Sequence, residues 1–183
     1  MSTSINRFYP RDRLKDVAGY MYVVIDTPVM RDLIKNPNII ERLIKYIGST
    51  LMVLIITYTL GRQYRNVIGI SINDLRRIFR SIGYRVRVND LSKSYEERVL
   101  EEYRDLVVLI ENTISTNRHL GKDDALIIVC TYIYAYKKAH ARNLFVVTKG
   151  RHVDSYSYPK HIIEEILDTP YCWYKVIDFN SIK

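Results

Sequence analysis

Apolar residues fall along this chain in five short runs, separated by longer stretches with helical spacing. Residues 21–26 (MYVVID), 51–56 (LMVLII), 84–88 (YRVRV), 144–148 (LFVVT) and 173–178 (WYKVID) are rich in β-branched and aromatic side chains and predict strands. The second run is apolar on both faces, which marks a central parallel strand covered by helices on each side. The third alternates, with basic residues on one face, as an edge strand does.

Local signals punctuate the helices between these runs. Thr27 followed by Pro28 reads as an N-cap with proline at the first helical position. Asn36-Pro37 breaks that helix, because the residue before proline avoids the α region, and a second helix runs from Asn38 to Ile47. Ser71 and Asp74 form a capping box for a helix that stops at Gly83. Ser94 and Glu97 form another, opening one long helix through Ile114 with Val99, Leu100, Tyr103, Leu106, Val107 and Ile110 as its apolar stripe. Asp123 is placed to cap a helix from Asp124 to His140, and Pro159 opens a short helix that Thr169-Pro170 ends.

Strands alternating with helices imply parallel pairing, hence a three-layer α/β/α domain with a five-stranded, mostly parallel sheet. The polar, basic stretch 1–19 is expected to be an arm or extension, and 20–183 a single domain.

Composition narrows the class. With 183 residues and 48% hydrophobic content, the chain can bury a core. No apolar run approaches the roughly 20 residues needed to cross a bilayer, and the N-terminus lacks the apolar core of a secretion signal. Cys130 and Cys172 lack metal-ligand spacing and suggest a reducing, cytoplasmic compartment. A single glutamine, Gln63, beside 26% charged residues fits a heat-adapted (thermophile) source. The net charge of +8 favours a polyanionic partner over an acidic or membrane-embedded role.

Open α/β sheets bind ligands beyond the carboxyl ends of their strands. The residues there are Asp26 after the first strand, Thr57 and Gln63 after the second, and Thr148, Lys149, Gly150 and Asp154 after the fourth. Asp123 and Asp124 open a helix that can face the same crevice. Gathered carboxylates hold Mg²⁺ or Mn²⁺ through oxygen, and such an ion activates water for attack on a phosphodiester. Each acid also has a plainer reading, since Asp26, Asp123 and Asp124 all stand where helix N-termini favour negative charge. Lys149, Arg151 and His152, with Arg62 beside Gln63, are the expected phosphate contacts. Clusters such as Arg76, Arg77, Arg80, Arg85 and Arg87, or Lys137, Lys138, His140 and Arg142, read as solvated faces first, with phosphate contact as the alternative. The tyrosine-rich TYIYAY segment at 131–136 reads as core and interface, and no glycine-rich phosphate loop is present.

The order of these segments resembles the PIN-domain nucleases. VVIDTPVM at 23–30 looks like the family's first motif, VLIITYTLGRQYRN at 53–66 its second segment and YRVRVNDLSKSYEE at 84–97 the strand and helix start that follow. GKDDALIIVCTYIYA at 121–135 looks like the aspartate-led third motif, LFVVTKGRHVD at 144–154 the fourth strand with its threonine, and WYKVIDFNSI at 173–182 the closing strand. The resemblance implies a sheet order of 3-2-1-4-5 and a metal-dependent nuclease, acting on RNA more than DNA. Its first acid falls on Asp26 and its third on Asp124, with Asp123 as fallback; these are the expected catalytic residues. Its second and fourth acids fall on Gln63 and Gly150, so the metal set becomes Asp26, Asp124, Gln63 and Asp154, holding one ion or none. The alternative expectation is a catalytically inactive PIN-like module that binds nucleic acid or protein. Family members often form homodimers.

Overall fold

The computed structural model describes residues 20–47, 51–82, 86–118, 121–139, 141, 143–157, 159–167 and 173–182. The expected arm 1–19 lies outside them, as do Gly83, Arg85, His140, Arg142, Thr169, Pro170 and Cys172.

Five strands, β1 (Tyr20–Ile25), β2 (Leu51–Ile56), β3 (Val86–Asp90), β4 (Asn143–Thr148) and β5 (Trp173–Asp178), form one sheet in the order β3-β2-β1-β4-β5. Every pairing is parallel, so all five carboxyl ends share one edge. The chain builds β2 and β3 on one side of β1, then crosses to β4 and β5 on the other. The switch point therefore lies between β1 and β4, where Ile25 pairs with Val147. From Val23 to Ile25, Met52 to Ile56 and Leu144 to Thr148 the central strands are buried, as continuous apolar runs require when helices cover both faces.

Nine α-helices are described: α1 (Thr27–Lys35), α2 (Ile39–Ile47), α3 (Tyr58–Gln63), α4 (Ile72–Ser81), α5 (Lys93–Glu102), α6 (Arg104–Arg118), α7 (Lys122–Ile133), α8 (His152–Ser157) and α9 (Pro159–Leu167). Single π-turns extend α3 (Tyr64–Ile68) and α7 (Tyr134–Lys138). Residues Ala125 to Ile133 of α7 are all buried, which makes α7 the helix enclosed on every side, packed on α3, α5 and α6. The tyrosines at its end belong to this packing: Tyr132 is buried, stacks on Tyr136 and lies near Tyr174, while Tyr95 meets Tyr134 edge-on.

Several boundaries differ from the sequence reading. Asp26, not Thr27, is the N-cap of α1, and Pro28 takes the second helical position. The edge strand continues to Asp90, two residues past its expected end, and its expected first residues, 84 and 85, lie outside the described residues. Ser92, not Ser94, caps α5 by accepting from Tyr95 N at 3.2 Å. The Ser94 hydroxyl meets that of Ser92 at 2.9 Å, and Glu97 turns outward to Lys93 at 3.1 Å. This two-residue shift points Glu96 into the protein. The single long helix is two, separated at Tyr103, whose amide returns to Val99 O as the chain turns. Gly121, not Asp123, opens α7, and the π-turn Tyr134–Lys138 replaces its expected end. The short helix α8 has no counterpart in the sequence reading. The breaks at Asn36 and the Ser71–Asp74 capping box are as expected.

Candidate functional site

Asp26 stands at the switch point with 5% of its surface exposed. Its amide donates to Val147 O at 2.9 Å, continuing the ladder to β4, and its carbonyl accepts from Val29 N and Met30 N to begin α1. A carboxylate so placed must find donors within the protein, because burying an unsatisfied charge costs several kcal/mol. It finds three: Thr27 N on Oδ1 at 2.8 Å, and Thr148 Oγ1 at 2.7 Å with His152 Nδ1 at 2.8 Å on Oδ2. Thr148 is fully buried at the end of β4. Below the site, the buried Tyr64 hydroxyl donates to Ile25 O, tying the π-turn after α3 to the end of β1.

His152 reaches Asp26 because the chain reverses at Gly150. That residue adopts a φ of 63°, in the left-handed region that glycine enters without strain. The position to which the PIN resemblance assigns the fourth acid is thus the turn that starts α8 and carries the imidazole back over β1. The side chain of His152 is 30% exposed against 5% for Asp26, so the ring bridges the buried acid and the open edge. Its hydrogen bond to Asp26 raises its pKa above the ordinary value, outweighing its partial burial, and the Asp124 charge adds to the rise. Tyr156, one turn further along α8, packs beside the ring with centroids 6.3 Å apart.

Asp124 belongs to the same constellation. Its Oδ2 accepts from Gly121 N at 3.0 Å and its Oδ1 from the Tyr156 hydroxyl at 3.2 Å. Burial raises its pKa, the Gly121 amide works against that, and the nearby Asp26 charge adds to the rise. Asp123 points the other way, to Arg62 at 3.3 Å, with both side chains about half exposed. Of the aspartate doublet, the second faces the site and the first faces solvent.

The remaining expected site residues divide. Gln63 is near, its Oε1 accepting from Thr27 Oγ1 at 3.0 Å. Asp154 is exposed and follows His152 by two residues on α8, which places it about 200° around the helix axis from the imidazole. Lys149 is already held by Asp32 at 2.7 Å, each side chain 24% exposed. Arg151 is exposed beside His152.

The oxygens that the resemblance assigns to a divalent ion already serve protein donors. Both Asp26 oxygens and both Asp124 oxygens accept from protein donors, and Gln63 offers an oxygen that Thr27 occupies. Among the described residues, no group of three or more His, Cys, Asp or Glu side chains is arranged to hold a metal ion.

The sequence reading did not single out Tyr156 or the inward-facing Glu96. Tyr156 follows His152 by four residues in HVDSYS, and that helical spacing was the available signal. Glu96, 4% exposed, accepts from Thr59 N at 2.7 Å and Thr59 Oγ1 at 2.8 Å, so it caps the first turn of α3 from a distance. Cys130 is buried and burial pushes its thiol far up, which removes it as a nucleophile.

The fold is thus an α/β protein with an all-parallel sheet in the order expected of a PIN-like domain. None of the family models, curated proteins or solved structures compared with the chain matches it. No described helix is long and apolar enough to cross a membrane.

Proposed function

We propose that this chain is a PIN-like module that binds RNA, and DNA more weakly, along the carboxyl edge of its sheet. The observation that carries this reading is the basic rim beside the switch point: Arg151 exposed next to His152 in sequence, and Arg62 exposed where it pairs with Asp123, the neighbour of Asp124, in a chain of net charge +8. The Arg62–Asp123 pair does not stand in the way. Exposed ion pairs contribute roughly 0–1 kcal/mol, and a phosphate exchanges for the carboxylate at little cost. Lys149 is a weaker candidate, because its ammonium is already paired in a half-buried position. The preference for RNA follows from the PIN resemblance.

The test is a titration of labelled single-stranded RNA and its DNA counterpart at several salt concentrations. Phosphate contacts predict affinity that falls steeply with salt and is higher for RNA. Absent or salt-insensitive affinity would contradict the reading. A metal-dependent nuclease is the second reading, supported by the proximity of the Asp26 and Asp124 charges, which a cation would relieve. Its test is Mn²⁺ calorimetry with Asp26→Asn.

A further inference from the structure

We propose that Tyr58 is a stacking platform for an unpaired base, so that the carboxyl edge holds single-stranded RNA by a base as well as by phosphates. The proposal rests on the RNA-binding reading above and adds the contact that tells a single strand from a duplex.

Placement comes first. Tyr58 opens α3 directly after Thr57, at the end of β2, and at the other end of α3 Gln63 takes the Thr27 hydroxyl at 3.0 Å, beside the end of β1. The helix therefore crosses the carboxyl edge of the sheet. Tyr58 and Arg62, one helical turn apart, share a face of it, and both are exposed. Tyr58 is 43% exposed. Among the described residues, the other exposed tyrosines are Tyr20, at the start of β1, and Tyr46, near the end of α2 just before β2, so both lie at the opposite edge. The backbone amides at this helix start are already taken, Thr59 N by Glu96 and Leu60 N by Thr57 Oγ1, so the ring is what this corner offers a ligand. Among the described residues, neither a second ring nor a hydrogen-bonding group engages it.

Charge selects the ligand. Lys93, exposed at the start of α5, stands close enough for the Tyr58 phenol to act on its ammonium, and Arg62 flanks the ring along α3. Their carboxylate partners, Glu97 at 3.1 Å and Asp123 at 3.3 Å, sit in exposed pairs that a phosphate readily replaces. An aromatic face beside two cations suits a single strand, whose base stacks on the ring while neighbouring phosphates meet the cations. In a duplex the base faces are closed by their own stacking, and only the phosphate contacts remain.

The test is fluorescence anisotropy of the full chain in a chelating buffer with three RNA probes of equal length: a single strand, the same strand with abasic sites in place of its bases, and a duplex. Wild type should bind the single strand about tenfold more tightly than the abasic strand, the order of one stacked base. Tyr58→Ala should lose that factor for the single strand and leave abasic and duplex affinity unchanged. Its slope of log affinity against log salt should stay that of wild type, because no phosphate contact is lost. Tyr58→Phe keeps the ring and should bind as wild type, as should Tyr46→Ala at the opposite edge. Wild type that binds the abasic strand equally well, a Tyr58→Ala protein that keeps full single-strand affinity or weakens on all three probes alike, or a Tyr58→Phe protein that binds as Tyr58→Ala does, would overturn the platform and leave the binding reading standing. Wild type without affinity for any of the three would remove both.

Discussion

His152 Nδ1 lies 2.8 Å from Asp26 Oδ2, across 126 residues of sequence, and this contact joins the two strands on either side of the switch point. It places an imidazole against the acid that the PIN resemblance assigns to a metal ion. The consequences reach stability, metal affinity and nucleic-acid binding.

The pH dependence of stability follows from two groups. His152 has its pKa raised above 6.5 by the hydrogen bond to Asp26. Its contribution is complete below pH 6.5 and is lost as pH rises through the higher folded value. Asp124 has its pKa raised above 3.8 by burial, so the folded state resists its ionisation and loses stability as pH climbs from 3.8 through the folded value. Denaturation of wild type, His152→Gln and Asp124→Asn from about pH 4 to about pH 9 separates them. His152→Gln should flatten the limb above pH 6.5, and Asp124→Asn the acidic limb. Three superimposable slopes would contradict both assignments.

Metal affinity should rise when the imidazole is removed. His152→Gly frees one acceptor position on Asp26 Oδ2 and clears the ring from the space a cation needs. Calorimetry should show Mn²⁺ binding tighter than wild type by about tenfold or more, the factor that ~1.4 kcal/mol represents. Equal affinity in the two proteins would mean that His152 does not compete with a cation.

Glu96 is expected to matter for folding and not for RNA contact. Glu96→Ala orphans Thr59 N and Thr59 Oγ1 at the buried start of α3, and should cost about 2–3 kcal/mol in urea denaturation. Glu96→Gln keeps one acceptor and should cost less. A neutral Glu96→Ala would show that water reaches Thr59.

Tyr174 is the reverse case. Its hydroxyl is the buried side-chain oxygen without a hydrogen-bond partner among the described residues, close to Tyr132 in the core. Tyr174→Phe removes that oxygen and keeps the ring, so the variant should be as stable as wild type or gain about 1 kcal/mol. A loss of stability would reveal a partner for the hydroxyl.

The sheet was legible because its signals are local. LMVLII at 51–56 is apolar on both faces, and Asn36-Pro37 breaks a helix by steric rules that need no tertiary contact. The errors arose where tertiary contacts chose between neighbouring polar residues. Ser94 and Glu97 satisfy the spacing of a capping box, yet Ser92 caps α5, because that register alone turns Glu96 onto Thr59. Asp26 and Asp124 were named from strand ends and the motif order, and both lie at the switch point. The pairing of Asp26 with His152 was not readable, since it depends on how Gly150 turns the chain across a distance that no local pattern encodes.

The central claim, that the switch-point edge binds RNA through its own cations, is tested most directly by fluorescence anisotropy with single-stranded RNA in a chelating buffer. Wild type would be compared with an Arg62→Glu, Arg151→Glu double variant over a range of salt. The account predicts binding by wild type without added metal. In the variant, affinity should fall and the slope of log affinity against log salt should become shallower by about 1.4, near 0.7 for each phosphate left without its arginine. Wild-type affinity that appears only with Mn²⁺, or a double variant that binds as wild type does, would contradict it.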